Sequence, residues 1–170
     1  MKKVFIFLLC FLIMGGCSSI KKDVPPVPDL NFSGNIKVTY NKNTVECKIE
    51  NKLGVHCIIT VVKPELISGL TMTVKDGNCT LSMGEVFYDF DSEKLQQTEF
   101  ATYISKALSD VLNTTTYEKM ENGYWKYTGK TENGKFILLQ DSQTGYPVSL
   151  RIPDMDLYVK FEDMKAVESQ

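Results

Sequence analysis

Between residues 31 and 91 apolar side chains recur at every second position in short runs, a period that only strands with one buried face can use. Ile36, Val38 and Tyr40 share one face, and Val45, Cys47 and Ile49 follow after Asn41-Lys42-Asn43. Val55, Cys57, Ile59 and Val61 come next, then Leu70, Met72 and Val74, which run into Asp76-Gly77. That dipeptide is a strong hairpin signal, because a tight two-residue turn needs positions that tolerate φ > 0. Cys79, Leu81 and Met83 return from it, and Val86, Tyr88 and Phe90 continue after Gly84.

One segment breaks the alternation. Phe100, Tyr103, Ile104, Ala107, Leu108, Val111 and Leu112 fall at helical spacing, with Thr98 placed as a cap and Asn113 near the end. This predicts one amphipathic helix whose stripe needs a sheet to cover, with Gln97, Lys106, Ser109 and Asp110 in water. Alternation then resumes through Tyr124, Trp125 and Tyr127, the run 136–139, Val148, Leu150 and Ile152, and finally Leu157, Val159 and Phe161. About nine or ten strands with one helix exclude a doubly wound α/β fold, because parallel strands need a crossover helix for nearly every pair. The fold class is therefore α+β: a curved, mostly antiparallel sheet, a half-barrel, with the one main helix over its concave side.

The N-terminus carries a second message. Lys2 and Lys3 precede the apolar run 4–14, which is too short to span a bilayer as a mature helix of about 20 residues, so it reads as a signal peptide over 1–16. Met14-Gly15-Gly16-Cys17 resembles the bacterial lipobox, in which small residues precede a cysteine that is acylated and becomes the new first residue. Cys17 is thus the expected lipidation site, and a second acyl chain would make such an anchor effectively permanent. The polar and proline-rich stretch 17–30 reads as a linker, 31–165 as the folded domain and 166–170 as a tail. These expectations place the protein on the extracytoplasmic face of a cell membrane.

The order of elements resembles the LolA/LolB-like family of lipoprotein carriers and receptors, whose members have an open antiparallel half-barrel with helices over its mouth. Val61-Val62-Lys63-Pro64-Glu65 with Gly69-Leu70 is similar to their early strand–proline–turn segment. Residues 141–150, Asp-Ser-Gln-Thr-Gly-Tyr-Pro-Val-Ser-Leu, resemble their late hairpin. The likeness runs from about residue 31 to 165 and implies a concave apolar surface that receives acyl chains. The chain departs from the carriers in having no arginine before Arg151 and a proline spacer where their N-terminal helix stands.

Composition narrows the chemistry. With 21 acidic against 19 basic residues there is no cationic excess for a nucleic-acid backbone. His56 is the only histidine, which removes His-based metal centres, and no nucleophile stands beside a base, so no catalytic residue is assigned and no cofactor is called for. Gly129-Lys130-Thr131 lacks the first glycine of a phosphate loop, since Tyr124 stands at that position. Asp89, Asp91 and Glu93 read as an acidic turn rather than a cation loop, and Asp154 with Asp156 likewise. Cys47, Cys57 and Cys79 keep step with the apolar face and read as small buried hydrophobes. Cys47 and Cys57 lie on consecutive strands and allow a cross-strand disulfide as the other reading.

Met72, Met83, Tyr88, Phe90, Phe100, Ile104 and Leu108 bring aromatics and pliable thioethers to the place where helix meets sheet. They either interlock as a closed core or line a cavity for an apolar ligand. The function expected from these features is a membrane-anchored, non-enzymatic protein that binds a lipid acyl chain or another hydrophobic ligand. The alternative is an interaction or sensor module with a filled core that docks on an envelope protein.

Overall fold

Asparagine, glycine and aspartate turns fold the alternating runs into consecutive hairpins, and the hairpins join edge to edge. The computed structural model describes residues 24–53, 55–90, 99–114 and 116–167, with the side chains of residues 88–90 outside that set. The strands are β1 Phe32–Tyr40, β2 Asn43–Lys52, β3 His56–Lys63, β4 Thr71–Lys75, β5 Asn78–Met83, β6 Val86–Phe90, β7 Tyr117–Lys119, β8 Tyr124–Thr131, β9 Gly134–Asp141, β10 Pro147–Ile152 and β11 Leu157–Ala166. Helix α1, Glu99–Asp110, stands between β6 and β7 and continues as a 3₁₀ turn over Val111–Asn113. The helical spacing ran to Leu112, so the last turn tightens instead of ending.

All eleven strands form one antiparallel sheet in the order β6-β5-β4-β3-β2-β1-β11-β10-β9-β8-β7. The sequence ends of the fold meet in the middle, where β1 pairs with β11 and Val38 faces Val159. The strands β6 and β7 are left as the two edges. At Asp76-Gly77 both residues take positive φ, 49° and 80°, as the hairpin signal requires.

The curl of the sheet follows from what α1 touches. It packs against β3, β4 and β5 on one side and β8 on the other. In a flat sheet β4 and β8 would lie seven strand spacings apart, roughly 34 Å at about 4.8 Å each, far more than one helix of about 10 Å diameter can bridge. The sheet therefore wraps the helix and stays unclosed, the half-barrel anticipated from the strand count. Ala101, Ile104, Ala107 and Leu108 of α1 are buried against Ile59, Met72, Val74, Tyr127 and Leu138 in one continuous core.

Two readings change. The segment 17–30 reads as a linker from composition, yet its last residues are part of the folded unit: Leu30 is buried in the core, and its carbonyl accepts a 2.6 Å hydrogen bond from Asn51 Nδ2. The cross-strand disulfide left open as the alternative for Cys47 and Cys57 is not formed; both are buried free thiols. Register explains this, because Cys47 pairs with Val61 and Cys57 with Asn51, four residues apart along each strand.

Candidate functional site

A groove of about 570 Å³ opens at the far end of β1 from Leu30. The β1–β2 hairpin supplies Tyr40, Asn41, Asn43, Thr44 and Val45; β3 and the loop after it supply Val61, Pro64 and Ile67; Leu70, Met72 and Phe100 complete the wall. The lining is apolar with a neutral polar lip of two asparagines and a threonine, which is the composition of a site that holds an apolar group and orients it weakly. The 3₁₀ turn Glu65–Ile67 keeps Ile67 against the core while leaving Leu66 88% exposed beside the mouth.

The helix start fixes one wall. Glu99 accepts hydrogen bonds from Tyr103 Oη at 2.7 Å and from Tyr40 Oη at 3.3 Å, and Tyr40 packs on both Phe100 and Tyr103 at ring distances of 6.2 and 6.4 Å. Burial, with the Glu99 carboxylate beside it, pushes both phenols above their ordinary pKa. They stay neutral donors, and the hairpin is pinned to the helix.

At the opposite end of β1 a strap of chain crosses the half-barrel. Gln140 is fully buried; its Nε2 donates to the carbonyls of Gly145 at 3.0 Å and Pro26 at 3.3 Å, and its Oε1 lies 2.8 Å from Tyr127 Oη. Asp29 N donates to the Gly145 carbonyl at 3.0 Å, and Asn31 Oδ1 accepts from Leu53 N at 3.1 Å. The strap thus runs from β8 and β9 to the β2–β3 turn. Sequence reasoning missed it. The available signal was Gln140 itself, a polar residue in step with Phe136 and Leu138 on the core face, which has to find partners when buried.

The expected ligand-binding residues divide. Phe100 and Met72 border the groove, whereas Ile104 and Leu108 lie deeper in the closed core under the helix. Met83 is 48% exposed at the end of the edge hairpin and does not line the groove. Tyr88 and Phe90 pair through their backbones with Leu81 and Cys79, and their side chains lie outside the described residues. Cys17 and its flanks also lie outside them. Cys47, Cys57 and Cys79 are buried; burial pushes the Cys47 and Cys57 thiols up to about 12, and Cys79 is raised by burial against the lowering bond from Thr102. His56 meets Glu50 at 3.2 Å, Gly129-Lys130-Thr131 lies within β8, and Asp154 Oδ2 accepts from Lys135 N. Among the described residues no cluster of His, Cys, Asp or Glu has metal-site geometry, and no helix is long and apolar enough to cross a membrane.

No protein-family model matches the chain, and no curated protein sequence matches it significantly. Solved structures do. A chain of the complex between the CwlD amidase and the GerS lipoprotein of Clostridioides difficile superposes at a TM-score of 0.50 with 12% identity, over 99% of this chain and 95% of that one. An uncharacterized conserved protein of Thermus thermophilus gives 0.49 at 8% identity, over 82% and 80% of the two chains. A LolA superfamily protein of Nitrosomonas europaea gives 0.44 at 11%, over 85% and 90%. At such identities the likeness concerns the fold. The open eleven-stranded antiparallel sheet, wrapped round the single described helix, is the half-barrel architecture that the sequence's resemblance to the LolA/LolB-like family implied.

Proposed function

We propose that the protein is a membrane-anchored, extracytoplasmic binding module that takes a hydrophobic ligand, an acyl chain or a group like it, into the groove at the Tyr40 end of β1, and performs no chemistry on it. The groove carries this reading: its volume falls within the roughly 300–1,000 Å³ of small-molecule sites, and Val45, Val61, Leu70, Met72 and Phe100 give it an apolar wall. Each methylene removed from water there contributes about 0.8 kcal/mol, and the thioether of Met72 adapts to the shape of what enters. The buried thiols support the non-enzymatic part, since a thiol with its pKa pushed to about 12 is a poor nucleophile at neutral pH. The anchor rests on the lipobox-like Met14-Gly15-Gly16-Cys17.

The test is a titration of dansyl-undecanoic acid into soluble Cys17→Ser protein. Saturable, blue-shifted emission is expected, with affinity falling roughly tenfold in Ile67→Asp and unchanged in Val55→Asp, an exposed position at the β2–β3 turn on the other end of the sheet. Absence of saturable binding in the parent protein would overturn the reading.

A second reading is docking on an envelope protein through the edge strand. Met83, Val86 and Phe87 are exposed on the β5–β6 hairpin, Phe87 by 70%, and an edge strand with apolar side chains is a template for another strand. The solved complex named above joins an amidase to a lipoprotein, so a protein partner is compatible with this architecture.

A further inference from the structure

We infer that the groove faces away from the membrane that anchors the chain, and that its occupant is an apolar segment of a partner protein in the aqueous layer. This rests on the proposed reading, both the acylated Cys17 and the binding groove.

The strap sets the direction. Because the carbonyl of Pro26 is held by Gln140, and Leu30 is buried with its carbonyl on Asn51, at most residues 18–25 separate an acylated Cys17 from the folded unit. Extended at about 3.1 Å per residue, those eight residues reach roughly 25 Å. The strap sits at the start of β1, where Phe32 pairs with Asn51, and the groove lies at its end, where Tyr40 meets Glu99. Nine strand residues separate them, roughly 26 Å at about 3.3 Å per residue. The tether therefore leaves from one end of the long central strand and the groove opens at the other. A lipid of the anchoring bilayer would have to leave it and expose its methylenes to water to reach the mouth.

The lips choose between occupants. On one side Pro64 and the exposed Leu66 continue the apolar surface out of the groove; on the other stand the amides and hydroxyl of Asn41, Asn43 and Thr44. An acyl chain lying in the groove leaves Leu66 wet and offers the amides nothing. A peptide segment places apolar side chains in the groove, covers Leu66 and brings backbone groups to the polar lip.

The full acylated chain is placed in vesicles of phosphatidylglycerol and phosphatidylethanolamine carrying a trace of rhodamine lipid, with fluorescein at Asn43→Cys or at Gln143→Cys. The native buried thiols stay unlabelled. Energy transfer about threefold stronger from position 143 is expected, and equal or reversed transfer overturns the orientation. In parallel, short phage-displayed peptides are selected on the Cys17→Ser protein. Apolar peptides that lose roughly tenfold in affinity with either Ile67→Asp or Leu66→Ser support the occupant, whereas selection of no groove-dependent peptide while dansyl-undecanoic acid still binds overturns it in favour of an acyl chain. Failure of the acylated chain to float with vesicles, or of both probes to bind, marks failure of the underlying reading instead.

Discussion

Tyr127 Oη stands 2.8 Å from Gln140 Oε1 on the neighbouring strand, and both side chains meet the carbonyl of Pro26, more than a hundred residues earlier in the chain. The phenol has one proton, and the shorter contact takes it. The Gln140 amide then spends its two N–H groups on Pro26 and Gly145, so every polar atom of a fully buried side chain is matched.

Replacing Gln140 by Met keeps the volume but leaves the Gly145 carbonyl and the Tyr127 hydroxyl without this partner. A loss of about 1–3 kcal/mol is expected in urea unfolding, with faster amide exchange at Leu53, whose N–H is held by Asn31 at the other end of the strap. Stability within a few tenths of the parent would show that the strap is not held through this amide.

A methyl group at Gly129 would run into the Phe136 ring and stand 2.6 Å from Thr114 Oγ1. Gly129→Ala is therefore expected to destabilise by about 1–3 kcal/mol, through overpacking and not through backbone strain. Gly129→Ala combined with Phe136→Leu should recover part of that loss, and thermal melts of the two variants measure it.

The thiols fix the alkaline behaviour. Cys47 and Cys57 ionise near 9.0 when exposed, and burial pushes them up to about 12 in the folded chain. Between these values the unfolded state has released protons that the folded state retains, so stability is fully present below about pH 9 and declines as pH rises towards 12. Tyr127, also pushed up to about 12 by burial, adds to the same decline. Denaturation midpoints that stay level from pH 8 to pH 11 would contradict this.

Glu99 ties the helix start to the groove wall, accepting from Tyr103 and Tyr40. Glu99→Leu should cost about 1 kcal/mol of stability and release the Tyr40 ring, weakening dansyl-undecanoic acid binding several-fold with little change in the far-ultraviolet spectrum. Tyr40→Phe keeps the ring in place by its packing on Phe100 and should bind nearly as the parent does.

The strands were legible because burial has a strict period: Ile36 and Val38, Cys47 and Ile49, Cys57 and Ile59, and Met72 and Val74 all turn inward as their spacing demands. Helix α1 was legible for the same reason at its own period. The short strand β7, Tyr117–Lys119, was not, because its three residues are all exposed and carry no pattern. Nor was the groove, whose wall draws on residues between Tyr40 and Phe100 that converge only when the sheet curls. The strap escaped for a different reason. Its contacts are made by backbone carbonyls, which every residue has, to side chains on strands far along the chain.

That separation gives the domain an order of assembly. A ribosome delivers Pro26 well before Tyr127 and Gln140 exist to receive it, so the carbonyl of Pro26 waits until the hairpin β8–β9 has formed, while Leu30 has its partner as soon as β2 brings Asn51. The clasp at Pro26 is thus among the last parts of the domain to close.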